Sequence, residues 1–234
     1  MRIKRHHPFD VSYHEARLLQ QSLAKDVITD ADFDIGSVGL VAGTDVSYSK
    51  ATNRCYSAVV VLSFPDLDFV CSETSVVEST FPYIPGLLSF REIPGLMKAF
   101  ENLARAPHLL IVDGQGVAHP RRMGLASHLG LLLDLPSIGC AKSRLVGEHG
   151  ACGVERGSTT DLILREDVIG RILRTRTNVS PIFVSVGHKI NLASAVEMAL
   201  ACSPKYRLPE TTRAAHKAAN ALRLEHESHP AQVG

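Results

Sequence analysis

Along residues 13–25, YHEARLLQQSLAK, the apolar Leu18, Leu19 and Leu23 recur at helical spacing among polar positions, which predicts an amphipathic helix over about 12–26. The pattern then changes period. Three runs rich in β-branched and apolar residues follow at 38–48 (VGLVAGTDVSY), 55–64 (CYSAVVVLSF) and 67–79 (LDFVCSETSVVES), with Pro-Asp at the second link. Their short connections predict an antiparallel meander. Pro94 predicts a break after a short helix, because proline removes a backbone donor, and a new helix is expected over 96–105. Beyond it, short strands at 108–113, 137–142, 168–174 and 182–187 alternate with helices at 123–133, 191–202 and 210–226. Residues 149–165 read as a hairpin. A meander followed by β/α alternation is a mixed-sheet α/β arrangement. With no repeat, low-complexity tract or linker, the sequence is read as one domain over 1–234.

Composition changes this picture little. A chain of 234 residues with 45% hydrophobic and 21% charged residues is that of an ordinary globule, and a net charge of +1 advertises no polyanionic partner, though a local basic face would suffice for one. No apolar run reaches membrane-spanning length, and MRIKRHHPFD lacks the apolar core of a signal peptide, so a cytoplasmic location without membrane contact is expected. Cys55, Cys71, Cys140, Cys152 and Cys202 are scattered and never form CxxC, as reduced thiols would be.

Two carboxylates carry the chemistry. Asp45 lies inside an apolar strand, LVAGTDVSY, and Asp113 ends another, LLIVDGQG. Either can be a hydrogen-bonded structural aspartate, since a desolvated carboxylate without a partner is costly. Alternatively, adjacent strands bring both to one point where a hard divalent cation, magnesium or manganese, neutralises them. The Gly-Gln-Gly that follows lacks the spacing of a phosphate-binding P-loop.

Six stretches in order, AGTDVSY at 42–48, PYIPGLLSFRE at 82–92, DGQGVAHPRRMGLASHLG at 113–130, IGCAKSRL at 138–145, SVGHKI at 185–190 and RLPETTRAAH at 207–216, resemble the endonuclease V family. The resemblance implies a ribonuclease H-like fold, a mixed β-sheet flanked by helices. It implies a metal-dependent endonuclease that recognises inosine and nicks the second phosphodiester 3′ to it, leaving 5′-phosphate and 3′-hydroxyl and initiating DNA repair. Residue by residue, the family's carboxylates fall on Asp45, Glu92 and Asp113, its lysine on Lys142 and its C-terminal histidine on His216. The cation expected is Mg²⁺, with Mn²⁺ as substitute. The resemblance implies deoxyinosine-containing DNA, or RNA, as the partner, and a monomer is expected.

The same resemblance makes Pro82-Tyr83-Ile84-Pro85 a wedge. The physics agrees: flanking prolines leave the pair few conformations to lose, and an aromatic ring can replace a lost base stack. A proline-stiffened loop with Tyr83 half-buried is the plain alternative. Gly86, Leu88 and Gly116 are expected at the flipped base, His119 there or on a scissile-side phosphate, and Arg121, Arg122 and Arg144 on phosphates. His188 is expected to be structural or phosphate-side. His6, His7, His226 and His229 lie in polar termini, and His128 receives no role. Other classes remain: a ribonuclease acting on inosine in RNA, a non-catalytic lesion-binding module, and a two-carboxylate glycosylase.

Overall fold

The computed structural model describes residues 3–4 and 6–228; His229 lies outside them. The first helix, α1 (Tyr13–Leu23), starts on a capping box in which Ser12 and Glu15 bond each other's backbone N–H, and a short 3₁₀ turn, Ala24–Asp26, extends it. Strands β1 (Leu40–Ser49), β2 (Arg54–Ser63) and β3 (Phe69–Glu78) form the expected antiparallel meander. After α2 (Leu88–Asn102) come β4 (Leu109–Val112), α3 (Leu125–Leu133) and β5 (Ser137–Ala141). Strands β6 (Thr159–Leu164), β7 (Asp167–Leu173) and β8 (Ile182–His188) precede α4 (Leu192–Ala201) and α5 (Glu210–Ser228).

The strands make one sheet in the order β3-β2-β1-β4-β5-β8-β7-β6. β1, β4 and β5 are parallel and the other pairs antiparallel, so the sheet is mixed. Alternation along the strands sorts side chains to two faces. Val41, Val60, Leu109 and Ile111 pack with Ala195, Met198 and Ala215 of α4 and α5. Ala42, Val59, Leu110 and Val112 pack with Ile93, Leu96 and Phe100 of α2 and Leu129 of α3.

Two local expectations are corrected. Pro94 does not end a helix: α2 runs through it from Leu88. Proline in a helix interior costs about 3 kcal/mol. Phe90, Ile93, Leu96 and Phe100 are fully buried along one side of α2, and each contributes roughly 1.5–3 kcal/mol by burial, which outweighs that cost. Nor do residues 149–165 form a hairpin. Only Thr159–Leu164 is strand, and its hairpin partner is β7, with Arg165 at the turn in the left-handed region at φ 62°.

Candidate active site

The parallel register pairs Thr44 with Val112, so Asp45 and Asp113 stand one step further along two adjoining strands. Lys142, the residue after β5, donates its Nζ to Asp113 Oδ2 at 2.5 Å. α5 packs along β1, and its His216 places Nδ1 2.7 Å from Asp45 Oδ2. Asn220 sets the tautomer. Its Nδ2, which only donates, lies 2.9 Å from His216 Nε2, so Nδ1 carries the ring proton and donates it to Asp45. Asn220 Oδ1 accepts from Ser47 Oγ at 2.9 Å, and Arg223 Nε donates to that same hydroxyl at 2.8 Å. Sequence reasoning missed Ser47, Asn220 and Arg223. The signal was spacing: Asn220 is one helical turn from His216, and Ser47 shares a strand face with Asp45.

Glu92 comes from α2 and is half-buried. Burial raises its pKa to about 8, with the charges of Asp45 and Asp113 adding to the effect. Burial also raises Asp45, reinforced by Asp113 and opposed by the His216 hydrogen bond. The three carboxylates therefore share one electrostatic environment. Among the described residues they do not close into a group of three that could hold an ion as placed. Like charges repel, and Asp45 and Asp113 are each drawn to a cationic or proton-donating neighbour. The donor set nevertheless fits a hard divalent cation, because it supplies only carboxylate oxygen and its excess negative charge is what such an ion neutralises.

Residues 82–86 form the tip beside this site, and the buried Leu87 anchors its base. Leu87 N–H bonds the Ile84 carbonyl at 2.9 Å, with Pro85 and Gly86 between them, and Gly86 takes φ 78°. Proline followed by a positive-φ glycine is the composition such a turn requires. Tyr83 is 67% exposed, while Ile84 packs toward Phe81, Leu87 and Phe90. The carbonyl of Gly86 accepts three bonds: from Arg121 Nη2 at 2.7 Å, His119 Nε2 at 3.0 Å and Gln20 Nε2 at 3.1 Å. Arg121 Nε also donates to Gln20 Oε1 at 2.6 Å. Burial, with the Arg121 charge adding to it, pushes His119 down to about 4.

A cavity of about 350 Å³ opens beneath the tip. Tyr83, Ile84, Pro85, Gly86 and Leu88 form one wall, and Asp113, Lys142 and Arg144 stand on another. His119 also lines it. Gly116 does not: it packs on β8, where an added Cβ would fall 1.9 Å from the Val186 carbonyl oxygen. Arg121 faces Gly86 rather than an open groove, and Arg122 is paired with Asp167 at 2.7 Å. Pro82 and Tyr83 also line a second cavity with Tyr48 and Arg91, so Tyr83 stands between two hollows.

The remaining histidines divide, His188 within its expectation and His7 outside it. His188 is buried and takes the Ile28 N–H at 3.2 Å, a structural role. His7 is no idle terminal residue: its Nε2 lies 2.6 Å from Nε2 of the buried His128, whose Nδ1 lies 2.9 Å from Ser89 Oγ. The neighbouring Phe9, whose ring is tilted against that of His7 at 4.4 Å, was the available signal.

Carboxylates side by side on two adjoining strands of this mixed sheet, Asp45 within β1 and Asp113 just past β4, beside an open cavity, are the arrangement of a ribonuclease H-like nuclease, a phosphodiester hydrolase. The family model described as Endonuclease V matches residues 21–217. A relative named Endonuclease V from Dehalococcoides mccartyi is 51% identical over 222 residues, covering 95% of this chain and 99% of its own. The crystal structure of endonuclease V from Streptomyces avermitilis superposes with a TM-score of 0.89 at 45% identity, covering 93% of this chain and 95% of its own. That of the Ciona intestinalis enzyme, in complex with a 24mer DNA containing an inosine followed by a ribo-adenosine, gives 0.81 at 33%, covering 91% and 97%. The chain belongs to the endonuclease V family.

Proposed function

We propose that this enzyme recognises hypoxanthine in DNA and hydrolyses the second phosphodiester bond 3′ to it, leaving 5′-phosphate and 3′-hydroxyl ends for repair. The observation that carries this is the position of the cavity, between the exposed Tyr83 and the Asp113–Lys142 pair. A base flipped into it leaves a gap that the Tyr83 ring can fill, and brings its own strand past the carboxylates. The complex of the Ciona enzyme with inosine-containing DNA supports the choice of base.

Asp45 and Asp113, with Glu92 directly or through water, would hold Mg²⁺ or Mn²⁺; when bound, the ion activates water and stabilises the leaving 3′-oxygen. Lys142 supplies positive charge beside Asp113, where the scissile phosphate would add negative charge. His216 keeps a proton on Nδ1 directed at Asp45 and thereby orients that carboxylate. Arg144, on the cavity wall, is the arginine placed to meet a phosphate; Arg121 and Arg122 are engaged elsewhere. No helix among the described residues is long and apolar enough to cross a membrane.

The test is a labelled strand with one inosine, alone and in duplex, incubated with Mg²⁺ or with EDTA, beside a matched RNA. A single Mg²⁺-dependent nick at the second 3′ bond is expected. An abasic product, or cutting that persists in EDTA, overturns the reading. Cutting confined to RNA transfers it to a ribonuclease.

A further inference from the structure

His7, His128 and Ser89 form a chain of hydrogen bonds whose direction is set from one end. The Pro8 carbonyl can only accept, so His7 Nδ1, 2.8 Å away, carries a proton. In a neutral His7 the other nitrogen, Nε2, is then a lone pair. It faces Nε2 of His128 at 2.6 Å, so His128 carries its proton there and donates it. Nδ1 of His128 is left as the acceptor and takes the hydroxyl proton of Ser89 at 2.9 Å. Ser89 has thereby used its only proton, and what its Oγ offers beyond the chain is lone pairs alone.

Both rings are built to stay neutral. His128 is fully buried, and burial lowers its pKa and that of His7. The two imidazoles lie edge to edge, their centroids 4.9 Å apart and their planes 19° apart, and Phe9 and Phe90 lie against them.

Ser89 lines the cavity beneath the wedge. The imidazole of His119, on the same cavity, has both nitrogens committed: Nε2 donates to Gly86, and Nδ1 accepts from the Arg121 N–H at 3.2 Å. Ser89 is thus a hydroxyl on that lining whose polarity is fixed. This bears on base choice. Hypoxanthine carries a proton on ring nitrogen N1, whereas adenine, its parent base, has a bare lone pair at N1. An acceptor-only group pairs with the first and repels the second.

We infer that Ser89 Oγ reads the ring N–H of the deaminated base, and that His7 and His128 are the positioning pair that fixes its polarity. The inference rests on the proposed recognition of hypoxanthine in this cavity. It assigns discrimination to a hydrogen-bond direction set from the N-terminal segment, about 80 residues away in sequence.

The experiment measures binding of intact protein to two otherwise identical DNA strands in Ca²⁺, one with hypoxanthine and one with unsubstituted purine, which has a bare N1. Ser89→Ala is expected to lower the affinity ratio of the two bases about fivefold, as the loss of one neutral hydrogen bond does. His7→Phe keeps an aromatic ring on Phe9 and Phe90 but frees the tautomer of His128; it is expected to lower the ratio by a similar factor without touching the base. His7→Gln serves where His7→Phe fails to fold. The double variant Ser89→Ala with His7→Phe should fall no further than Ser89→Ala, because the two act through one atom. An unchanged ratio in Ser89→Ala overturns the inference. An unchanged ratio in the His7 variant, or a fully additive double variant, overturns the positioning role. If wild type itself prefers neither base, the reading of the cavity has failed, and that result is separate from both.

Discussion

Arg121 donates from Nη2 to the carbonyl oxygen of Gly86 at 2.7 Å, and so ties the loop after β4 to the base of the Tyr83 tip. His119 and Gln20 donate to the same oxygen. Three donors on one carbonyl hold the turn rigid before any ligand arrives, which lowers the ordering cost of binding. Arg121→Ala is expected to weaken binding to inosine duplex about tenfold and to affect single-stranded inosine less. Arg121→Lys should restore little, since lysine cannot span Gln20 and Gly86 as the planar guanidinium does. Equal losses on duplex and single strand would contradict a role in holding the wedge.

Tyr83→Ala should lose roughly 1–3 kcal/mol of affinity for inosine duplex, the value of one stacked base. Tyr83→Phe should lose little, because the ring does the stacking. Neither should lower the melting temperature, since the side chain is 67% exposed. A drop in Tm like that of a core deletion, with normal binding, would show that Tyr83 is packing.

Asp45→Asn and Asp113→Asn are expected to abolish the nick while leaving binding to inosine-containing DNA within a few-fold. Withdrawing the metal with EDTA should reproduce this phenotype in wild type. Normal cutting by either variant in Mg²⁺ would remove these carboxylates from the metal site.

Asn220→Ala removes the donor that fixes the His216 tautomer. It is expected to lower kcat about tenfold with KM little changed, as loss of a group that orients a site residue typically does. An effect on KM alone would place Asn220 in substrate binding instead.

Stability should depend on pH through two buried imidazoles, His119 at about 4 and His128 at about 3. Both lie below the unfolded value of about 6.5. As pH falls below that value the unfolded chain takes up protons that the folded chain refuses. The contribution is complete above about pH 6.5 and is lost toward pH 4, by up to about 1.4 kcal/mol per pH unit for each ring. Glu92, raised to about 8, acts in the opposite sense: it favours the folded state at low pH and loses that contribution as pH rises from about 4.5 toward 8. Urea titrations of His128→Asn in a Glu92→Gln background isolate the histidine share. An unchanged slope between pH 6 and 5 would show that His128 is not held neutral.

The sequence by itself determined what is local or repeated along the chain. The period of apolar residues gave the meander and most helices, because burial of one face is written directly into alternation. Asp45 and Asp113 stood out because carboxylates are costly in apolar strands. Pro82 to Gly86 announced a stiff turn because proline and glycine restrict backbone angles without help from distant residues. What only the tertiary structure decided is what depends on partners far apart in sequence. Helix α2 crosses Pro94 because the packing of Phe90, Leu96 and Phe100 outweighs a local penalty. Arg121 and His119 turned from open contacts to holding Gly86, and Gly116 went to Val186, because the fold folds the loop after β4 back against the tip and β8. His7 and His128 are 121 residues apart. Each looked idle alone, since a hydrogen bond's direction is a property of the closed chain of donors and acceptors and of no single residue within it.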